Sequence, residues 1–389
     1  MRSTIRNPLT VTTLLVLLAG CGGGPEETPG APGGQPASTQ RSVRGLGDIV
    51  VAGRPVTGSE PSGLKKIPWQ RTYSDGALYA PVTGYRSLAF GRAGLESVYD
   101  SALSEGTDVV TTIEPVVQQA AFTALGEDRG AAVALDAATG DLLAVVSTPS
   151  YDPGTFSGRL PADAEAWEKL NQDSGEPLHN RALRDATAPG GTFDLVIAAA
   201  ALEHGLYRSA DEPTRAGGSG DCAGASIRES LADACGDVFA AMADALGTGR
   251  IRETARAFGF DDRELFVPLR TASSTYDTDG TVTATPLQMA RVAAALADGG
   301  RLVTPRLVAQ VEKPAARAVS EGTAAALLPA VRAAGTWVPA EDADGTPLSW
   351  SLAYARTGDG RTVAIAARVA DADPAAAARV THRMTAALN

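Results

Sequence analysis

The chain has 389 residues, of which 44% are hydrophobic and 20% charged, which is ordinary for a folded globular protein and long enough for two domains. The formal net charge of −11 argues against nucleic acid as a partner and against electrostatic adhesion to anionic lipid. Only three histidines occur, His179, His204 and His382, and they are scattered, so we expect no metal site and no cofactor.

The first 21 residues predict an export signal. Two arginines precede the apolar run Val11–Leu18, which is too short to span a membrane. The end of this segment, Leu18-Ala19-Gly20-Cys21, resembles the lipobox of bacterial lipoproteins, in which the cysteine is acylated and becomes the mature N-terminus. We therefore expect a lipid anchor at Cys21 and a location at the extracytoplasmic face of the cell membrane. An ordinary signal peptide with a chance cysteine is the alternative.

Residues 22–44 and 45–115 differ sharply in composition. Residues 22–44 are rich in Gly, Pro, Glu, Ser and Thr, which predicts a disordered tether. Residues 45–115 predict a small, β-rich linker domain that begins with a hairpin. Its two strands, Asp48–Val51 and Arg54–Thr57, flank a turn at Ala52-Gly53.

Residues 116–389 predict a mixed α/β domain. Two strands, Gly130–Asp136 and Leu142–Ser147, are followed by many helices, among them one that Thr285-Pro286 opens. Two more strands, Leu352–Ala355 and Thr362–Val369, precede a last helix. Strands at both ends of the segment, with helices between them, favour one sheet built from both termini.

Two cysteines remain beyond the proposed anchor, Cys222 and Cys235. An even pair in an exported protein predicts a disulfide. Two buried thiols are the alternative.

The most informative segment runs Ala188-Pro-Gly-Gly-Thr-Phe-Asp194 into an apolar helix, Leu195–Glu203. It resembles the active-site helix of the penicillin-binding protein transpeptidases, where the segment ends Pro-Gly-Ser-Thr-Phe-Lys. The stretch Ser147–Pro153 and the segment from Arg71 to Ile113 resemble the same family, class B in particular. The resemblance implies a serine transpeptidase/β-lactamase-like fold, which is a five-stranded antiparallel sheet flanked by helices, with a small N-terminal β-rich linker domain.

The family's chemistry rests on three motifs, Ser-x-x-Lys, Ser-x-Asn and Lys-Thr/Ser-Gly. In the first, a lysine one helical turn from the serine takes its proton and so makes it a nucleophile. This chain has Gly191 in place of the serine and Asp194 in place of the lysine. We expect Asp194, in the first turn of the helix, to stay ionised. Thr192 points about 100° away around the helix.

The other two motifs are also altered. The second maps onto Ala234-Cys235-Gly236, where the family has serine and asparagine at the outer positions. For the third, Ala333-Ala334-Gly335-Thr336 occupies the motif's place, or the motif is deleted and Gly335-Thr336 matches a Gly-Thr just upstream; either way no lysine is present.

Three local patterns imitate functional sites. Ser62-Gly63-Leu64-Lys65 has the Ser-x-x-Lys spacing but lies in a Pro/Gly-rich stretch, where we expect no helix. Arg356-Thr357-Gly358 imitates Lys-Thr-Gly but falls at the turn between the last two strands. Asp277 and Asp279 lack the remaining ligands of a calcium loop, so we expect a solvated acidic turn there.

The altered motifs predict a protein that is not an enzyme, because loss of one member of a nucleophile–base pair costs about 10⁶ in rate in hydrolases. The resemblance then implies a binding or scaffold role in peptidoglycan synthesis. Its expected partners are peptidoglycan or its precursors and cell-wall synthesis proteins, and the membrane is reached through the lipid anchor. Two alternatives stay open: an active D,D-transpeptidase or carboxypeptidase with a rearranged site, and a receptor for a small ligand such as a muropeptide.

Overall fold

The computed structural model describes residues 45–389 except 216, 263, 264, 266, 310–314, 334–337, 343, 371 and 372. The expected signal peptide, Cys21 and the tether of residues 22–44 lie outside the described residues. The described residues belong to one compact unit. None of their helices combines the length and the apolar character needed to cross a membrane.

The described strands have two to five residues, apart from four longer ones of seven to ten residues. They are β1 Ile49–Val51, β2 Arg54–Pro55, β3 Thr57–Pro61, β4 Trp69–Tyr73, β5 Tyr85–Ser87, β6 Gly91–Ala93, β7 Val109–Val110, β8 Arg129–Asp136, β9 Leu142–Thr148, β10 Thr275–Tyr276, β11 Val282–Thr283, β12 Arg301–Leu302, β13 Ala316–Arg317, β14 Val338–Glu341, β15 Pro347–Arg356 and β16 Thr362–Ala370.

Of the described α-helices, four precede β8, eight lie between β9 and β14, and one closes the chain. They are α1 Gly76–Thr83, α2 Leu95–Val98, α3 Asp100–Ser104, α4 Pro115–Leu125, α5 Pro161–Gln172, α6 Arg181–Arg184, α7 Asp194–Glu203, α8 Ile227–Ala232, α9 Gly236–Leu246, α10 Thr248–Ala257, α11 Pro286–Ala297, α12 Glu321–Ala333 and α13 Ala376–Leu388.

The central sheet has five strands in the order β14-β15-β16-β8-β9, and all of its pairings are antiparallel. The expected fold is therefore confirmed, including the sheet built from both ends of the segment. The two final strands are longer than the sequence predicts. Both faces of these strands are buried. Polar residues such as Ser351 and Arg368 are therefore buried within the strands, whereas the sequence suggests that a strand ends at such residues.

Both faces of the sheet are buried, and β8 shows this residue by residue. Ala131, Val133 and Leu135 join the larger core with α7 and α11, while Ala132 and Ala134 join a smaller core with α4 and α13. Alternate residues of a strand point to opposite faces, so a continuous apolar run is what a doubly covered strand requires. The small alanine side chains on the second face let α4 and α13 approach closely.

The N-terminal hairpin forms, with β1 and β2 antiparallel, but its second strand ends at Pro55 rather than at the expected Thr57, which begins β3. Its turn residues Ala52 and Gly53 both have positive φ, +47° and +76°. That combination matches the right-handed twist of the two strands. A parallel pairing of β1 with β7 then joins the two ends of residues 45–115.

Candidate functional site

The segment that carries the family resemblance forms a turn and a helix start. Gly190–Phe193 make one turn of 3₁₀-helix, and α7 continues from Asp194. Gly190 has φ +55°, a left-handed conformation that suits glycine. Phe193 anchors the turn because its ring packs on Phe260 and Tyr276, each with a centroid distance of 5.5 Å.

Thr192 does not present its hydroxyl to a ligand. The residue is fully buried, and its Oγ1 donates a hydrogen bond to the carbonyl oxygen of Pro189 at 2.6 Å. The hydroxyl therefore stabilises the turn from within.

Asp194 lies in a dense environment although part of its surface reaches solvent. Burial raises the pKa of its carboxyl group to about 8. Among the described residues no hydrogen bond or ion pair to the carboxylate offsets this cost. The expectation that Asp194 stays ionised is therefore wrong: loss of hydration outweighs the favourable helix dipole, and the carboxyl is mostly protonated at pH 7.

The segment Ala234-Cys235-Gly236 connects α8 to α9, which begins at Gly236, and both helices contact α7. Ala234 has a φ of +54°, and it is exposed together with Gly236. A Cβ atom built on Gly236 would meet no atom within 4 Å, so this position borders open space. Cys235 is buried beside them and forms the expected disulfide with Cys222, with 5.9 Å between their Cα atoms.

The third element is the edge of the sheet. Strand β14 pairs with β15 on one side and lies against the 3₁₀ turn of Gly190–Phe193. Helix α12, which ends at Ala333, packs on α7 and α8. Residues 334–337, which include most of the expected third motif, lie outside the described residues, so the choice between substitution and deletion stays open.

The structure thus packs the elements that carry the expected positions around α7 and its leading turn. The turn with Gly191, the helices that flank Ala234-Gly236 and the helix that ends at Ala333 all contact α7 or its leading turn, and β14 borders that turn. These elements define what we call the cleft region: residues 190–194, 234–236 and 338–341.

The three sequence patterns that imitate functional sites lie outside the cleft region. Ser62 and Lys65 lie in the loop between β3 and β4, with Lys65 exposed. Thr357 and Gly358 lie in the turn that joins β15 to β16. Asp279 accepts a hydrogen bond from the backbone of Thr281 at 3.0 Å and so stabilises the turn between β10 and β11.

One contact beside the cleft region was not predicted from the sequence. The buried side chain of Trp350 on β15 donates a hydrogen bond from Nε1 to the carbonyl oxygen of Ala188, at 3.0 Å. The contact joins residues 162 positions apart, and no local motif signals it. It ties the segment that leads into the turn directly to the sheet.

Comparison with known proteins matches two family models to consecutive parts of the chain. Residues 130–333 match the penicillin binding protein transpeptidase domain. Residues 46–126 match the penicillin binding protein A dimerisation domain.

Similar individual proteins agree with these matches. The peptidoglycan D,D-transpeptidase PbpA of Mycolicibacterium smegmatis is 34% identical over 66% of this chain and 64% of its own length. PbpA of Mycobacterium tuberculosis is 33% identical over 63% of this chain and 61% of its own length. The chain thus spans less than two thirds of these relatives. A penicillin G acyl-enzyme complex of penicillin-binding protein A from M. tuberculosis has a TM-score of 0.78 and 29% identity, covering 88% of this chain and 99% of that chain.

These relatives contradict one expectation. The altered motifs predicted a protein that is not an enzyme, whereas the similar proteins are named peptidoglycan D,D-transpeptidases and one of them forms an acyl-enzyme. The comparisons therefore point to an enzyme family. The expectation failed because it judged activity from a few side chains, while the surrounding fold and sequence stay close to those of enzymes.

Proposed function

Because the chain belongs to the penicillin-binding protein transpeptidase family, we propose that it binds the peptide of peptidoglycan in the cleft region and acts in peptidoglycan synthesis at the cell envelope. The proposed role is that of a binding or scaffold protein, which brings peptidoglycan or its precursors to cell-wall synthesis proteins. The similar proteins are peptidoglycan D,D-transpeptidases, which supports the choice of peptidoglycan as the ligand.

The observation that carries the binding proposal is the position of β14. Among the described strands of its sheet, β14 has a neighbour on one side only, and the 3₁₀ turn lies beside it. An extended peptide can add to such an edge through backbone hydrogen bonds, while nearby pockets read its side chains. Gly236 is exposed, and a Cβ atom built on it would meet no atom within 4 Å, so a ligand at this position would meet no steric obstacle.

We further propose that Gly191, Asp194, Ala234, Gly236 and Ala333 occupy the positions of the family's reactive side chains. Glycine has no hydroxyl group, so residue 191 offers no atom to which an acyl group could bond. The ligand would then be held by non-covalent contacts at this position. Cys222 and Cys235 would fix the ends of the loop that leads to Ala234.

The envelope location is proposed from the N-terminal sequence. Acylation at Cys21 would anchor the protein to the membrane, and residues 22–44 would tether residues 45–389 on the extracytoplasmic side. In this arrangement residues 45–115 form the linker domain and residues 116–389 the transpeptidase-like domain. Growth with a labelled fatty acid, followed by mass spectrometry of the N-terminal peptide, tests the anchor; a mature N-terminus other than acylated Cys21 would refute it.

A matched pair of glycine variants tests the binding role. Gly236 and Gly249 each border open space near the start of a helix, but only Gly236 lies in the cleft region. The ligand is a peptide that ends in D-Ala-D-Ala, with an L-Ala-L-Ala peptide as the control, and binding is measured by calorimetry. We expect Gly236→Trp to weaken D-Ala-D-Ala binding at least tenfold and Gly249→Trp to leave it unchanged. Equal affinities for both peptides, or for both variants, would refute the proposal.

A rearranged D,D-carboxypeptidase is the second candidate, and the pKa of Asp194 favours it. A carboxyl group with a pKa near 8 suits proton transfer at neutral pH, because a general base works best when its pKa lies near the ambient pH. Asp194 would take a proton from a water molecule whose oxygen attacks the carbonyl carbon between the two D-alanines. The C–N bond then breaks, and the proton passes to the departing amine of D-alanine.

The two candidates differ in what happens to the peptide. Catalysis predicts release of D-alanine at a rate that rises as Asp194 ionises near pH 8 and that falls at least a hundredfold in Asp194→Asn. Binding alone predicts saturable association with the peptide intact at every pH. Chromatography of the incubated peptide between pH 6 and pH 9 separates these outcomes.

A further inference from the structure

A cavity lies at the opposite edge of the central sheet from β14. It has a volume of about 460 Å³, and its wall includes Ser147 at the end of β9. Four strand spacings of about 4.8 Å place β9 roughly 19 Å from β14. The cavity is therefore a separate site from the cleft region.

The walls of this cavity come from two parts of the chain that are distant in sequence. One wall is formed by α1 and by the segment from β6 to α2, within residues 80–98. The other is formed by residues 177–180, the end of α6 and residues 269–270. Asn180 connects the walls, because its Nδ2 donates a hydrogen bond to the carbonyl oxygen of Pro81 at 2.8 Å.

The charge of the cavity is opposite to that of the protein. Arg92, Arg184 and Arg270 line it, and no aspartate or glutamate is among its described lining residues. The chain as a whole carries a formal charge of −11. Arg92 forms an ion pair with Asp100, with 2.7 Å between Nη1 and Oδ1. Arg184 and Arg270 make no ion pair with any described residue. Two guanidinium groups are thus available to an incoming anion.

Two further polar side chains of the cavity wall, Asn180 and His179, can form hydrogen bonds with a ligand. Asn180 Oδ1 is buried and accepts no hydrogen bond from the described part of the chain. Burial also lowers the pKa of His179, so its ring is neutral at pH 7 and can donate one hydrogen bond and accept another. A buried acceptor without a donor costs stability unless a bound group satisfies it.

We infer that this cavity binds a small organic anion, whose carboxylate or phosphate oxygens contact Arg184 and Arg270 and whose donor group faces Asn180 Oδ1. Guanidinium groups suit this task because their N–H donors match the planar geometry of carboxylate and phosphate. The organic body of the ligand fits the apolar part of the wall, formed by Pro81, Val98, Leu178 and Leu269. The volume lies within the range of small-molecule sites.

Calorimetric titration of the purified chain at low salt tests the inference with two probes. Inorganic pyrophosphate represents phosphate sources, and N-acetylmuramyl-L-alanyl-D-isoglutamine represents carboxylate sources; N-acetylglucosamine is the neutral control. We expect at least one anionic probe to bind, with an affinity that falls as salt is added. The probe that binds shows whether the natural ligand presents a phosphate or a carboxylate group.

Three double variants decide whether the bound anion is in this cavity. R184Q/R270Q should weaken binding at least tenfold, and R184K/R270K should restore part of it. R208Q/R250Q is the matched control. Arg208 and Arg250 are also exposed, and their guanidinium groups have no partner among the described residues, but they lie outside the cavity. Binding of neither anionic probe, or equal loss in R184Q/R270Q and R208Q/R250Q, would overturn the inference. Gly236→Trp should leave this binding unchanged, which separates the result from any failure of the cleft proposal.

Discussion

The backbone N–H of Asp194 donates a hydrogen bond to the carbonyl oxygen of Gly191, so the two residues belong to the same helical turn. This turn precedes a buried apolar helix and borders the edge strand of the sheet. The scaffold at the start of α7 is therefore formed without a hydroxyl at residue 191 or an amine at residue 194. What the turn contributes instead is a carboxyl group whose pKa is strongly raised.

The raised pKa makes stability depend on pH. Between about pH 4 and pH 8 the folded protein holds a proton on Asp194 that the unfolded chain has released, so stability falls as pH rises through this range. The slope from this group is at most about 1.4 kcal/mol per pH unit. We expect Asp194→Asn to remove that slope and to stabilise the protein most at pH 8. Urea unfolding of both proteins at several pH values measures this slope.

Asp244→Asn provides the control, because Asp244 is exposed on α9, which packs against α7. It should leave the pH dependence as it is in the unchanged protein. If Asp194→Asn and the unchanged protein show parallel curves from pH 4 to pH 8, Asp194 is ionised as an ordinary aspartate and the interpretation of its environment is wrong.

The disulfide should stabilise the helical part of the cleft region. Cys222 and Cys235 are 13 residues apart, and closing a loop of this size contributes about 3 kcal/mol in the chain-entropy model. We expect C222S/C235S to lower the free energy of unfolding by about that amount. Adding a reductant should destabilise the unchanged protein but not the double variant. Equal stability with and without reductant in the unchanged protein would contradict the prediction.

The hydrogen bond from Trp350 to Ala188 should position the turn. Trp350→Phe leaves the Ala188 carbonyl without its donor, which costs about 1–3 kcal/mol of stability. It should also weaken D-Ala-D-Ala peptide binding, because the segment before Gly191 loses its link to the sheet. Trp167→Phe is the control, since the Trp167 indole stacks on Phe90 and donates no hydrogen bond to a described residue. The prediction fails if both variants bind the peptide as the unchanged protein does.

A buried ion pair holds the N-terminal part of the chain together. Arg71 and Glu96 have fully buried side chains, with Nε 2.6 Å from Oε1, and Arg86 also contacts Glu96 at 2.9 Å. Glu96→Gln would remove the buried carboxylate and leave Arg71 with the more distant Asp48, at 3.4 Å, and Arg86 with Asp100. Because the charge that is lost is fully buried, the substitution should cost about 3 kcal/mol. Asp298→Asn breaks the exposed pair with Arg301 and should cost less than about 1 kcal/mol. Thermal unfolding measures the stability of the two variants. Equal losses of stability would contradict the prediction that the buried pair of Arg71 and Glu96 contributes more than the exposed pair of Asp298 and Arg301.

The sequence predicts the sheet well because its strands and turns carry local signals. The Gly130–Asp136 and Leu142–Ser147 predictions lie within one residue of β8 and β9, and the helix after Thr285-Pro286 begins where proline and the threonine cap place it. The state of Asp194 could not be predicted in the same way. Its pKa depends on the elements that crowd the carboxyl, while the sequence shows only its favourable place in a first helical turn.

The arginine-lined cavity was equally invisible from the sequence. Arg92, Arg184 and Arg270 are far apart along the chain, and each looks like an ordinary exposed cation. Their common location follows from the packing of residues 80–98 against the loop of residues 177–180. Such a site is created by tertiary contacts alone.

Intact-mass spectrometry after incubation with penicillin G tests the central claim most directly, which is that residue 191 engages ligands without forming a covalent bond. Penicillin-binding protein A of M. tuberculosis, known as a penicillin G acyl-enzyme, is the positive control. We predict that the control gains the mass of one penicillin while this chain keeps its mass and still binds the D-Ala-D-Ala peptide. A stable penicilloyl adduct that peptide mapping assigns to the cleft region would contradict the account.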